Sequence, residues 1–369
     1  MKKVLAFMLA AMMMASVAVG CGNDSNTSST ESTGTDSTAS TDNNEEPSEA
    51  GTDASDVSIG SCVYKFDDTF MTGVRNTMTA RAEELGAKID IVDSQNKQPT
   101  QNEQVDTFIT KGVNALIVNP VDLTAAGPII TKAKDADLPI VLQNRQPSEE
   151  DMNSDDKAWY VGCRAEQSGT MSGEIIADYF TAHPEADKNG DGKVQYVMIQ
   201  GEPGHQDATL RSEYAPKAIE EAGFGVEQLA ADTAMWDKVK ATDLMAAFIS
   251  SQGIDKIEAV LCNNDDMALG AIEALKAEGY NSGDESKYIP VVGVDATAPA
   301  LEAMKDGSLL GTVLNDSTSQ GNASVNIAVA AAQGKEITEE NIGYPVTDDK
   351  YVWVDYVKVT QDNYQDYMS

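Results

Sequence analysis

The chain predicts an α/β fold with parallel sheets in two domains, and three observations predict it. From Ser58 onward, short apolar strand-like runs alternate with helical patterns of about twelve or more residues, the rhythm of parallel βαβ units. Roughly ten such strands exceed what one compact sheet comfortably holds. The length of 369 residues suits two domains.

Taken in order, Ile59 to Tyr64 reads as a strand and Phe70 to Leu85 as a helix ending at Gly86. Lys88 to Val92 and Ala115 to Val118 are strands on either side of a helix over Gln104 to Lys111. Pro139 to Leu142 and Trp159 to Val161 follow, and a first domain boundary falls near Gly162-Cys163-Arg164. The second half repeats the pattern. A helix over Gln167 to Ala182 precedes the strand Lys193 to Ile199, the helix Ala208 to Ala222 and the strand-like Val226 to Leu229. The helix Val239 to Ser251, the strand Ala259 to Leu261, the helix Met267 to Gly279 and the strand Ile289 to Val294 complete it.

The N-terminus reads as a processed segment. Lys2-Lys3 is basic, Val4 to Val19 is apolar but too short for a permanent span, and Ala18-Val19-Gly20-Cys21 fits a bacterial lipobox. Residues 1–21 are therefore expected to be a lipoprotein signal peptide with Cys21 lipidated, placing the protein at the cell membrane on its extracytoplasmic face. Residues 22–57, rich in Ser, Thr, Asp, Asn and Glu, are expected to be a disordered acidic tether, because they bury too little apolar surface to offset ordering.

Net charge is -34, with no Lys or Arg between Val4 and Tyr64. Nucleic acid is disfavoured as a partner, since phosphate binding requires a basic surface. After Cys21 three cysteines remain, Cys62, Cys163 and Cys262, each in or beside an apolar run. The odd number argues for buried free thiols rather than a disulfide framework.

In open α/β sheets ligands bind beyond the carboxyl ends of the strands, so the residues just after each strand are the ones that carry function. They are Asp67, Asp68 and Phe70; Asn144 and Arg145; His205, Asp207 and Arg211; Trp236; Asn263, Asn264, Asp265 and Asp266; Asp295; Asn315 and Asp316. Any one of these Asn and Asp residues reads equally well as a turn or an N-cap. Together, planar polar groups with two aromatics have the composition of a sugar site, because they bond neighbouring hydroxyls in pairs while ring faces stack on C–H faces.

A second motif lies at Asp187-Lys-Asn189-Gly-Asp191-Gly192-Lys193-Val-Gln195, which reads as most of a calcium loop, with oxygens at alternate positions and a Gly at the sixth. The twelfth position, where an EF-hand places its bidentate Glu, is Met198. The cage must therefore be closed by a carboxylate from elsewhere.

From Ile59 to Lys358 the chain resembles the type I periplasmic sugar-binding family. Collinear segments carry the resemblance: Tyr64-Lys-Phe-Asp-Asp68-Thr-Phe70-Met, Asp93-Ser-Gln-Asn, Lys111-Gly-Val-Asn-Ala, Tyr160-Val-Gly, Gly201-Glu-Pro-Gly-His205, Asp232-Thr-Ala-Met-Trp236-Asp, Asn263-Asn264-Asp, Gly293-Val-Asp295-Ala and Gly311-Thr-Val-Leu-Asn315-Asp. The resemblance implies two Rossmann-like lobes joined by a three-segment hinge and closing on one pyranose. Residues 58–163 with about 316–350 would form the first lobe, and 164–315 with about 351–369 the second. Carried over by motif, the sugar-binding residues are Asp68, Phe70, Asn144, His205, Asp207, Arg211, Trp236, Asn264, Asp295 and Asn315. Phe70 and Trp236 would sandwich the ring, and Asp68 would accept from the 4-hydroxyl. The calcium ligands would be Asp187, Asn189, Asp191, the Lys193 carbonyl and Gln195, with Glu258 as the missing carboxylate.

The implied function is an extracytoplasmic solute-binding lipoprotein for D-galactose or D-glucose, with methyl galactoside a further ligand, delivering to an ABC transporter permease. It would act as a monomer with structural Ca2+, and a chemoreceptor is a further partner left open. Another monosaccharide is the alternative ligand. A secreted glycosidase would need paired carboxylates among Asp68, Asp207 and Asp295, but nothing in their spacing specifies an acid–nucleophile pair. A sugar-sensing repressor is excluded by an export signal where a helix-turn-helix would stand. The loop Asn281 to Tyr288 is longer than the family pattern.

Overall fold

The computed structural model describes residues 53–368, so the expected signal peptide 1–21, the lipidation site Cys21 and most of the tether lie outside the described residues. The tether's expected end at residue 57 is corrected. Ala54–Asp56 form a short 3-10 turn capped by Asp53, and Val57 is fully buried. The Val57 carbonyl accepts from Lys88 N at 2.9 Å, so this one apolar residue draws the tether's end into the sheet.

The elements run as β1 Ser58–Val63, α1 Thr69–Leu85, β2 Lys88–Asp93, α2 Gln98–Lys111, β3 Ala115–Val118, α3 Ala126–Asp135, β4 Ile140–Gln143, α4 Glu149–Met152 and β5 Ala158–Gly162. They continue as α5 Ala165–Ala182, β6 Lys193–Gln200, α6 Gln206–Glu221, β7 Gly225–Thr233, α7 Lys238–Gln252, β8 Ala259–Cys262 and α8 Asp265–Ala277. The last part holds β9 Val291–Val292, α9 Ala298–Lys305, β10 Thr312–Leu314, α10 Ser317–Ala332, α11 Glu339–Ile342, β11 Tyr351–Trp353 and β12 Val357–Val359.

The first lobe is a six-stranded sheet in the order β11-β5-β4-β3-β1-β2, parallel throughout. Its inner strands are apolar on both faces, as a sheet covered on both sides by helices requires. Ile59, Val63, Ala115 and Ile117 meet α1 and α10 on one face, while Cys62, Leu116 and Val118 meet α2 and α3 on the other. The second lobe carries β7-β6-β8-β9, also parallel. Bridges Val292–Gly311 and Asp295–Leu314 bring β10 alongside, and β12 pairs antiparallel with β10. Cys62, Cys163 and Cys262 are free and buried.

The chain passes between the sheets three times: between β5 and α5, between β10 and α10, and between β11 and β12. The third passage was expected near residue 350 and lies later. Tyr351–Trp353 pairs in parallel with Tyr160–Gly162 and so belongs to the first lobe, and the chain leaves it only through Val354–Tyr356. Three residues are too few for a hydrophobic period to reveal that strand. Among the described residues no helix is long and apolar enough to cross a membrane.

Candidate functional site

All ten residues carried over by motif line one cavity between the two lobes, whereas Asp67, Asn263, Asp265, Asp266 and Asp316, which also follow strands, do not line it. Helix starts explain much of how they get there. Asp68 caps α1, its Oδ1 accepting from Met71 N at 2.7 Å. His205 caps α6, its Nδ1 accepting from Asp207 N at 3.1 Å, and Asn264 caps α8, accepting from Met267 N at 3.0 Å. The bland reading of these residues as caps is thus correct, and it is compatible with lining the cavity. A cap residue sits at the carboxyl end of a strand, where three helix N-termini contribute positive dipole ends.

Three others are held in backbone conformations that side chains seldom adopt. Asn144 has φ 62°, Trp236 has φ 61° directly after Met235 at 58°, and Asp295 has φ 124°. For a bulky residue such as Trp this is strain of about 1–3 kcal/mol, the kind that persists where a site needs one side-chain direction. The Trp236 ring is 7% exposed and lies over Gly201, where an added Cβ would come within 2.1 Å of ring carbons. His205 meets the same ring edge-on, with centroids 5.1 Å apart. Gly201→Ala should therefore displace the indole and lower stability by about 1–3 kcal/mol. A urea midpoint equal to that of the parent chain would show that the ring needs no such seat.

Arg211 organises the polar side. Its Nε donates to Ser168 Oγ at 3.0 Å and Nη1 to the Asn263 carbonyl at 2.9 Å. Its Nη2 donates to Asp207 Oδ2 and to the Tyr356 hydroxyl, both at 2.8 Å. Burial works against the Arg211 charge, but Tyr356, Asp207 and Asp295 outweigh it and raise its pKa. Burial also raises the carboxyl of Asp207, opposed by Arg211 and Arg145, and that of Asp295, opposed by Arg211. His205 is held neutral: burial first, then Arg145 and Arg211, push its pKa well below the usual value. With Nδ1 already an acceptor, the proton of the neutral ring lies on Nε2, a donor with no partner among the described residues. Asn315 Nδ2 donates to Asp295 Oδ1 at 3.1 Å, and Asn144 Oδ1 accepts from Asn119 Nδ2 at 3.3 Å.

Sequence reasoning missed two residues that line the same cavity, Tyr64 and Met71, and left a third, Arg145, outside the ten. Tyr64 donates its hydroxyl to Asp68 Oδ2, and the Arg145 guanidinium lies 4.2 Å from the Tyr64 ring centre. Arg145 stood in the strand-end census beside Asn144, so its position was the available signal. What hid its role was the partner: Nη2 donates to Glu202 Oε2 at 2.8 Å, across from the other lobe. Thr69 Oγ1 to Asp266 at 2.8 Å and Gln206 Nε2 to Gln146 at 2.9 Å also join the lobes. The lobes are therefore closed over the cavity.

The loop Asp187 to Gln195 lies at the opposite end of β6. Asp187 accepts from the backbone N–H groups of Gly190 and Gly192 at 2.7 and 2.8 Å, and Asn189 Oδ1 accepts from Asp191 N at 2.9 Å. Glu258 lies against this loop, accepting from Lys188 N at 2.7 Å and Gln195 N at 3.0 Å. Among the described residues no three His, Cys, Asp or Glu side chains are placed to hold a metal together. The expected donor set is of a different kind, mixing carboxylates with amide and carbonyl oxygens. Two observations fit a cation here. The buried Gln195 Oε1 has no hydrogen-bond partner, and among the described residues the ion pairs to Asp187, Asp191 and Glu258 come to Lys193, 4.0 Å from Asp191, with Lys188 also acting on Glu258.

Residues 59–336 match the periplasmic binding protein domain family. The chain is 42% identical to the D-galactose/methyl-galactoside binding periplasmic protein of Haemophilus influenzae, covering 87% of this chain and 95% of that relative. It is 35% identical to the putative rhizopine-binding protein of Rhizobium meliloti, over 78% of this chain and 88% of that one. Among solved structures it is similar to an ABC transporter solute binding protein of Bacillus halodurans C-125 with bound myo-inositol, at TM-score 0.71 and 33% identity, covering 85% of this chain and 97% of that one.

Proposed function

The chain belongs to the type I periplasmic sugar-binding family, and from that premise we propose that it captures a hexose by lobe closure and delivers it to the permease of an ABC transporter. D-galactose and D-glucose are the ligands proposed, with methyl galactoside tolerated. It is a binding protein and not an enzyme, as its relatives are.

The observation that carries this reading is the make-up of one cavity closed between the lobes. Carboxylates that only accept (Asp68, Asp207, Asp295), a guanidinium that only donates (Arg211) and amides that do both (Asn144, Asn264, Asn315) line it together with the rings of Phe70 and Trp236. A pyranose presents the complementary set, hydroxyls that donate and accept around a ring with apolar C–H faces. Closure excludes water, which strengthens each of these hydrogen bonds and leaves an unmade one costly. Phe70 from the first lobe and Trp236 from the second suit the two faces of such a ring, and Asp68 suits its 4-hydroxyl. The Haemophilus relative, named for galactose and methyl galactoside, supports the choice of hexose. The Bacillus structure with myo-inositol favours a cyclic polyol as the second reading.

Calcium belongs to the same proposal. Asp187, Asn189, Asp191, the Lys193 carbonyl, Gln195 and Glu258 would hold the ion, which would supply charge neutralisation and rigidity to the second lobe. Anchoring through Cys21 is supported by the lipobox and the polar stretch behind it. Action as a monomer is supported by the scarcity of exposed large apolar side chains, Val239 and Val357 among the described residues.

The test is a thermal-shift panel of D-galactose, D-glucose, methyl galactosides, pentoses and myo-inositol, each with calcium and with a chelator. A shift for a hexose above all others is expected. A shift for myo-inositol alone would transfer the site to polyols, and none for any compound would overturn the reading.

A further inference from the structure

One residue of the chain passages between the lobes, Asn315, lines the cavity, and the other passages stand behind it. Cys163 lies in the first, Asn315 in the second and Tyr356 in the third, and all three are buried. The first two are joined directly. Cys163 Sγ donates to Asn315 Oδ1 at 3.3 Å, and Gln320 Nε2 donates to that same oxygen at 2.6 Å. Asn315 then reaches Asp295, as described above. The third passage is joined through Arg211, whose Nη2 is shared between Asp207 and the Tyr356 hydroxyl. Asp207, Arg211, Asp295 and Asn315 line the cavity, whereas Tyr356 stands behind them and does not.

We propose that Tyr356 is a positioning residue for ligand capture, its hydroxyl fixing the Arg211 fork against Asp207 and tying it to the third passage, so that filling the cavity and closing the lobes are coupled. This rests on the hexose-binding reading. Movement of one lobe against the other is absorbed by backbone torsions in a few passage residues. Tyr356 lies in such a stretch, between β11 of the first lobe and β12 of the second. A guanidinium is planar and presents its donors in a fixed fork, so an acceptor on one nitrogen orients the whole group. Ser168 and the Asn263 carbonyl hold Arg211 from within the second lobe. Tyr356 is the one of its acceptors that comes from a passage between the lobes.

The ring of Tyr356 also packs with Ile175, Val313 and Val354, so a purely structural role is the competing account. Tyr356→Phe keeps the ring and removes the acceptor. On the full chain we would measure calorimetric affinity for the hexose selected by the panel, the melting temperature without sugar, and the fall in radius of gyration by X-ray scattering at saturating sugar. The expected result is an affinity about tenfold weaker, as loss of one hydrogen bond to a charged group implies, an unchanged sugar-free melting temperature, and incomplete compaction at saturation. Ser168→Ala, which frees another Arg211 nitrogen without touching a passage, should weaken binding yet compact fully. That comparison stands even where Tyr356→Phe lowers the melting temperature. Wild-type affinity in Tyr356→Phe, or equal compaction in the two variants, would overturn the coupling. Absence of hexose binding in the wild-type chain would instead overturn the ligand assignment.

Discussion

Asp207→Ala is expected to abolish measurable hexose binding while the chain still folds. The carboxylate lies in the first turn of α6, where its charge complements the helix dipole. Its Oδ2 accepts from Arg211 Nη2 at 2.8 Å, and both side chains are almost wholly buried. Removing the carboxylate takes away a ligand acceptor and leaves the Arg211 charge without its carboxylate partner in a dry site. Truncating one member of a buried charged pair costs about 2–5 kcal/mol, a loss of roughly thirtyfold to several thousandfold in affinity. Folding survives because Ser168, Asn263 and Tyr356 still hold the guanidinium. Trp236→Ala should have a comparable effect by removing one face of the stacking pair. Calorimetric affinity equal to wild type in either variant would refute the site.

Glu258→Gln should lower the melting temperature by several degrees more in excess calcium than in a chelator. An ion bound only by the folded state adds about 2.7 kcal/mol at a hundred times its dissociation constant, and a carboxylate ligand supplies much of that affinity. Without the ion, Glu258 accepts from Lys188 N through Oε1 and from Gln195 N through Oε2, and a glutamine keeps an acceptor for only one of them, so the chelated chain loses about one hydrogen bond, about 1–3 kcal/mol. Equal losses in both conditions would remove Glu258 from the calcium proposal. The effect would reach the sugar only indirectly. Glu258 precedes β8 and the loop precedes β6, and the opposite ends of those strands carry Asn264 and His205.

Much of the architecture was legible because parallel strands buried on two faces are written as continuous apolar runs. Ile140-Val-Leu, Ala115 to Val118 and Ala259 to Leu261 are each fully or nearly fully buried. What escaped is equally specific. The start of α2 was read six residues late, at Gln104, because Gln98 to Glu103 offers no apolar period. Gln101 nevertheless faces inward, fully buried, donating to the Asn119 carbonyl at 2.9 Å. The helices α3, α9 and α10 were not assigned, nor were β10, β11 and β12. These three strands span only three residues each, and α10 buries so much of its surface that no polar face marks its period.

Chemistry that depends on residue type and on position after a strand could be read along one dimension. The ten motif residues that line the cavity are of that kind, because a strand end places its next residue at the sheet's carboxyl edge whatever the rest of the chain does. Contacts between distant segments could not. That Arg145 meets Glu202, that Tyr351–Trp353 completes the first sheet, and that Tyr356 stands behind Arg211 are facts of closure. They join residues 57, 191 and 145 positions apart, through groups with no periodicity or motif to announce a partner. Only the packing of one lobe on the other selects such pairs, since at those separations many arrangements are open to the chain until the folded core excludes all but one.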